Sequence, residues 1–285
     1  MNYPQSQKLN LPENLMNSGK HQVVTFKKPL KSLVSKGTSN AKTVKNTEET
    51  WIMYISPYDL NSYGKTVCSD STEGCRTGCL GPHSGRALLF QMITQARIRK
   101  TDLYFSDRQA FCEMLFKDMI RLSNRAVKKQ ITIQVRLNGT SDLDFIAILK
   151  NRTGLDIRTL PGLSFYDYTK QIGKFKKYQG TDYKLTFSRS ESNQAECIEA
   201  IKCGPVAVVF DTKKGHDLPG TFSFDGKTFY PVIDGDKADD LMVNLGSGFI
   251  LGLRAKGKAK QDQTGFVVRV PVMLPEAPEE VYSLF

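Results

Sequence analysis

Residues 68–79 read CSDSTEGCRTGC, which puts Cys68, Cys75 and Cys79 on one short stretch, with His83 following closely. Thiolates are the ligands of iron–sulfur clusters and, with histidine, of zinc. Three readings are open. The stretch is an iron–sulfur loop, a zinc knuckle, or three ordinary cysteines that hold no metal. In the zinc case Cys68, Cys75 and Cys79 supply sulfur and His83 is the possible fourth ligand, closing a C-x6-C-x3-C-x3-H set. The neighbours are Ser, Asp, Thr, Glu and Gly, so hydrophobic packing gives no reason for three thiols here. Cys112, Cys197 and Cys203 differ: they lie among apolar residues and read as buried small hydrophobes.

Other residues able to do chemistry fall at the ends of apolar runs. QVRL leads into NGTSD, offering Arg136, Asn138, Ser141 and Asp142. FYDY leads into Thr169 and Lys170. LTFS ends on Ser188 and leads into Arg189, Ser190, Glu191 and Asn193. VID leads into GDKADD, with Asp234, Asp236, Asp239 and Asp240, and GLR leads into AKGKAK. In parallel α/β folds the loops after the strands converge at the carboxyl edge of the sheet, where ligands bind. Each cluster also has a plain alternative. Hydroxyl and acidic side chains before a helical pattern are helix caps, and charged turns are solvated surface. The four aspartates suit a hard divalent ion and admit a metal-dependent nuclease or replication-linked activity. No phosphate-binding loop, nucleophile elbow or HExxH helix is present.

The elements that must position these groups are legible as alternation. WIMYIS (51–56), DLYFS (102–106), ITIQVRL (131–137), LSFYDY (163–168), YKLTFS (183–188), VAVVF (206–210), YPVID (230–234) and FILGLR (249–254) read as strands. Helical spacing is expected over 86–100, 108–122, 143–152 and 195–203. Strands alternating with helices predict an α/β fold with a mainly parallel sheet, a βα-repeat barrel or partial TIM-like barrel. GFVVRVPVML (265–274) reads as a closing strand. The expected organisation is a basic flexible arm over 1–50, a barrel-like domain over 51–274 carrying the Cys-rich loop 68–83, and a tail over 275–285.

With 285 residues the chain can bury a large core. Its net charge of +11 favours association with polyanions, so nucleic acid or a nucleotide is an expected partner. Much of that charge lies early: Lys8, Lys20, Lys27, Lys28, Lys31, Lys36, Lys42 and Lys45 face only Glu13, Glu48 and Glu49 in the first fifty residues. A zinc-stabilised module could add stacking on Tyr166 and Tyr168. No apolar run is long enough for a bilayer helix, and the polar start lacks the apolar region of a secretory signal, so a cytoplasmic location is expected. In a reducing compartment clustered thiols point to metal or redox chemistry.

Taken in order, Cys68, Cys75 and Cys79, RIRKT, VRLNGTSD, FYDYTK, LTFSRSE, VAVVF, VIDGDKADD, GLRAKGKA and the later GF resemble a family of phage- and plasmid-encoded proteins typified by a mycobacteriophage gene product. That likeness covers roughly residues 60–270 and implies no particular reaction. A looser likeness is to radical S-adenosylmethionine enzymes, where a cysteine triad precedes a series of βα units. It implies a [4Fe–4S] cluster on Cys68, Cys75 and Cys79, leaving one iron open to S-adenosylmethionine. It also implies that strand-end residues such as Arg136, Asn138, Ser141, Asp142, Ser188, Arg189 and Glu191 hold that cofactor. The spacing here, C-x6-C-x3-C, differs from the familiar C-x3-C-x2-C, and no Gly-Gly-Glu motif follows the next strand.

Overall fold

The computed structural model describes residues 30–37, 48–83, 90–237 and 245–270. In chain order the elements that matter are β1 (Val34–Lys36), β2 (Glu49–Met53), α1 (Glu73–Thr77), α2 (Leu80–His83), α3 (Gln91–Ser106), α4 (Arg108–Lys129), β3 (Ile133–Arg136), α5 (Phe145–Thr153), β4 (Leu163–Thr169), α6 (Ile172–Lys177), β5 (Tyr183–Ser188), α7 (Gln194–Ala200), β6 (Val206–Phe210), β7 (Thr221–Ser223), β8 (Phe229–Asp234), β9 (Ile250–Arg254) and β10 (Val267–Val268). They build one ten-stranded sheet in the order β1-β2-β3-β4-β5-β6-β9-β8-β7, with β10 also paired to β6. Strands β2 to β6 lie side by side in chain order and run parallel. The mainly parallel α/β expectation therefore holds.

A closed barrel does not form among the described residues. The two edges are β1, antiparallel to β2, and β7, antiparallel to β8. Antiparallel strands at both edges occupy the positions that closure would have to join. Strands β2 to β6 are wound in one direction, and beyond β6 the order reverses to β9, β8 and β7. Because parallel crossovers are right-handed, sequential order sends each connection over the same face.

That face carries the main core. Helix α4 presents Phe111, Leu115, Met119, Leu122 and Ala126 at helical spacing, all buried, against Ile133, Val135 and Phe165 of the strands. Asp107 caps it by accepting from the Ala110 amide at 2.9 Å, and Gln130 ends it in the left-handed region at φ 54°. The opposite face holds a smaller cluster of Tyr166, Ala207 and Leu251 with Tyr168, Leu245 and Leu253. Alternation along β4 divides its residues accordingly, with Phe165 on the helical side and Tyr166 on the other.

Three sequence expectations need correction. DLYFS is the last turn of α3, because a short apolar run without a preceding turn residue continues the helix that starts at Gln91. Part of the expected arm belongs to the sheet: Leu33 and Val34 are buried, and Asp118 accepts from the Leu33 amide at 2.7 Å and from Ser32 Oγ at 2.9 Å. Cys203 is exposed, unlike Cys112 and Cys197. The rest of the arm, residues 1–29 and 38–47, the end of the expected closing strand, 271–274, and the tail over 275–285 lie outside the described residues.

Candidate functional site

The chain leaving β2 crosses the carboxyl edge of the sheet and is tied down before it reaches the cysteines. Thr101 Oγ1 accepts from the Ser56 amide at 2.7 Å, and Asp102 accepts from Ser62 Oγ at 2.6 Å. The Asp142 amide then donates to Val67 O at 2.9 Å, which seats Cys68 beside the loop after β3; its sulfur lies 3.9 Å from Thr140 O. Thr72 caps the short α1, which carries Cys75. Glu191, from the loop after β5, clamps this cap: it accepts from Thr72 Oγ1 at 2.7 Å and from the Gly74 amide at 2.8 Å.

Glycines let the thiol loop pack this closely. A Cβ at Gly74 would lie 2.1 Å from Thr264 Oγ1 and 2.5 Å from Phe266 Cβ, so no other residue fits without displacement. At Gly78 the obstacle is Ala259 Cβ at 3.0 Å. The segment 255–266 thus forms a roof over α1. Arg189 fastens that roof by donating to Gly265 O at 2.9 Å and Phe266 O at 3.0 Å. Arg97 donates to Gly81 O at 2.7 Å from the other side.

Lys170, at the end of β4, reaches into this region. Its ammonium donates to Ser188 Oγ at 3.2 Å, and of the groups that favour its charge Cys75 has the largest electrostatic effect. Burial opposes its charge, but Cys75, Asp142 and Cys68 outweigh burial and hold its pKa above the usual lysine value. Burial pushes the Cys68 thiol up to about 12, the neighbouring Cys79, Asp142 and Cys75 adding to the effect. It likewise pushes Cys79 up to about 11, Cys75 adding and Lys170 and Arg97 opposing. The three thiols therefore share one electrostatic neighbourhood. Beside them a cleft of roughly 280 Å³ is lined by Lys170, Ser71, Thr72, Ser190 and Asn193, with Asp70 and Glu196 also on its wall.

Most of the expected cofactor contacts are spent within the protein. Asn138 donates to Leu143 O at 2.9 Å and to Asp167, and Ser141 Oγ donates to Asn138 Oδ1 at 2.9 Å. Asp142 accepts from Thr169 Oγ1 at 2.8 Å, the Lys170 amide at 2.8 Å and Lys174 Nζ at 3.0 Å. Arg136 stands 3.7 Å from the fully buried Asp167 and over the Tyr168 ring. Burial raises the Asp167 pKa, with Lys174 and Arg136 opposing. Of the set, only Ser188 hydrogen-bonds the Lys170 ammonium. Three features of the site have weak sequence signals: Lys170 is one strand-end lysine among many, Glu191 reads as a cap for its own helix, and Gly74 and Gly78 announce close packing only once a neighbour is known.

The acidic set is different. Arg254 Nη1 lies 2.9 Å from Asp234 Oδ1 and its amide donates to Asp236 at 2.9 Å, while Lys256 Nζ is 2.7 Å from Asp236. Carboxylates neutralised by fixed cations offer a divalent ion little, so the metal-dependent nuclease reading loses its ligands at Asp234 and Asp236. Asp239 and Asp240 lie outside the described residues. His83 ends α2. Among the described residues no group of three or more His, Cys, Asp or Glu side chains converges as a ready metal site. No helix of the described residues is long and apolar enough to cross a membrane.

The chain matches the Gene product 88 family over residues 31–270. It belongs to that family. The match includes the thiol loop, its Glu191 clamp and the 255–266 roof, and it agrees with the phage gene-product likeness read from the motifs. The radical S-adenosylmethionine likeness has no counterpart in these comparisons. No curated protein and no solved structure matches the chain.

Proposed function

We propose that this Gene product 88 protein is an iron–sulfur enzyme of the radical S-adenosylmethionine type, with Cys68, Cys75 and Cys79 as the cluster ligands. The observation that carries the reading is the arrest of three thiols over the parallel strand ends, beside the Lys170 ammonium and a hydroxyl-walled cleft. Strands β2 to β6, wound in one direction as in a partial TIM-like barrel, gather such loops at one edge.

The donor set fits a cluster better than a single zinc ion. Zinc draws its donors to about 2.3 Å from one point, and the described residues contain no convergent group of three. Cluster ligands sit on separate irons and stand further apart. The Cys68 and Cys79 thiols, raised by burial, stay protonated when bare, and a metal is what releases such protons. When bound, the cluster supplies the electron that cleaves S-adenosylmethionine and begins radical chemistry.

The chain's own residues do the rest. Glu191, Thr72 and Gly74 fix the thiol loop, and the 255–266 roof presses on it at Gly74 and Gly78. Lys170 brings a positive charge to the Cys75 sulfur and, with Ser190, suits a carboxylate in the cleft. Asp70 and Glu196 suit the ammonium of the same amino-acid moiety.

Iron, acid-labile sulfide and the visible spectrum, measured on protein purified without oxygen, test the reading. The expected result is iron with sulfide and a broad brown absorbance, lost in Cys75→Ala and kept in Cys112→Ala. Zinc alone, no metal, or unchanged iron in Cys75→Ala overturns it.

A further inference from the structure

The roof over the thiol loop has an outer surface with its own pattern. In the segment AKGKAK, Ala255 and Ala259 are buried while Lys256, Lys258 and Lys260 are exposed. Ala259 is the residue packed against Gly78, so its burial on the thiol helix aims the lysines on either side of it outward. A second loop, after β6, brings Lys213 and Lys214, also exposed. Arg254 ties the two loops together by donating to His216 O at 2.7 Å.

Charge along this rim is unbalanced. Lys256 is paired with Asp236, but among the described residues no carboxylate forms an ion pair with Lys213, Lys214, Lys258 or Lys260. The acids of the two loops are largely committed elsewhere. Asp211 faces Arg269 at 3.6 Å, and Asp262 accepts from the Thr264, Gly265 and Val267 amides. Only Asp217 remains as an exposed acid.

We propose that this rim binds the phosphate backbone of a nucleic-acid strand, making nucleic acid the substrate class delivered to the thiol site. The inference rests on the reading above for the chemistry and on the lysine rim for the substrate. Clustered lysines without partners release condensed counterions when they meet phosphates, and this is the main sequence-independent source of nucleic-acid affinity. A lipid surface would need apolar side chains beside the charges. The exposed large hydrophobic residues, Leu60, Tyr63, Leu80, Phe90, Met92, Leu155, Phe229 and Phe249, include none from these two loops.

The test is fluorescence anisotropy of a labelled single-stranded oligonucleotide against the full chain over a series of salt concentrations. Lys258→Gln/Lys260→Gln is compared with Lys150→Gln/Lys202→Gln, which removes equal charge from exposed positions elsewhere. The rim variant is expected to bind on the order of tenfold more weakly, with a salt slope smaller by about 1 to 2, while the control pair stays within twofold of wild type. Equal losses in both pairs, or no loss in the rim pair, overturn the proposal. So does binding of phosphatidylserine vesicles without oligonucleotide binding, which assigns the rim to a lipid surface. Rim-dependent binding by a protein that carries no iron or sulfide refutes the cluster reading and leaves the rim as a nucleic-acid site.

Discussion

Asp234 and Asp236 at the end of β8 and the thiol loop over β3 to β5 share the carboxyl edge of one sheet, yet their polar groups are satisfied in opposite ways. Around Arg254, each carboxylate meets a fixed cation at the rim of the fold. Around Cys75, hydrogen bonds hold the backbone and its clamps, while the thiols share the neighbourhood of one ammonium, Lys170, which lines a cleft. The first arrangement consumes its chemistry in holding two loops together. The second spends glycines, a glutamate clamp and a roof to present groups that form no ion pair with a carboxylate, which is how a site differs from a strut.

The largest test of that contrast is Asp142→Ala. Its carboxylate satisfies the buried Lys174 ammonium and anchors the end of β4, from which Lys170 projects. Removing it leaves a buried charge uncompensated and is expected to cost about 3–5 kcal/mol in urea denaturation. A loss below about 1 kcal/mol would put this pair in the class of surface ion pairs and erase the distinction. Next comes Gly74→Ala. The new methyl meets Thr264 Oγ1 and Phe266 at distances no real contact shows, so overpacking should cost about 1–3 kcal/mol. The roof must also lift, and native Cys75 and Cys79 should react faster with a thiol reagent. An unchanged melting temperature with unchanged thiol reactivity would mean the roof does not press on α1.

The legible and illegible parts of the sequence follow the same divide. Alternation revealed the runs at β3, β4, β5, β6 and β9, because a buried parallel strand is written as an apolar run whatever surrounds it, and the half-exposed β8 showed through its own short apolar run. DLYFS has the same composition and is helical, since nothing in five residues separates a strand from the end of a helix. The barrel expectation failed at the edges. Val34–Lys36 and Thr221–Ser223 are too short and too polar to announce themselves, and they are the strands that leave the sheet open. At the site, thiol spacing identified the loop, but the roles of Glu191 and Asp142 were invisible because each acts across more than a hundred residues or on another strand end. A residue's type names the bonds it can make; only the fold says which neighbour takes them.

The smallest expected effect lies in the ion-paired region. Asp234 is partly exposed, so Asp234→Asn should cost up to about 1 kcal/mol at neutral pH, well below either change at the thiol loop. Its pH dependence sharpens the point. Burial raises its pKa, but the Arg254 guanidinium and the Asp236 amide outweigh burial and hold it below the ordinary 3.8. A carboxyl depressed in the folded state contributes stability that is fully present above 3.8 and disappears as pH falls through the lower folded value. The difference in unfolding free energy between wild type and Asp234→Asn should therefore be constant from neutral pH down to about 4 and close progressively below it. A difference that persists unchanged into strong acid would show that Asp234 acts through packing and not through its charge, and the two clusters would then differ less than their ion pairs suggest.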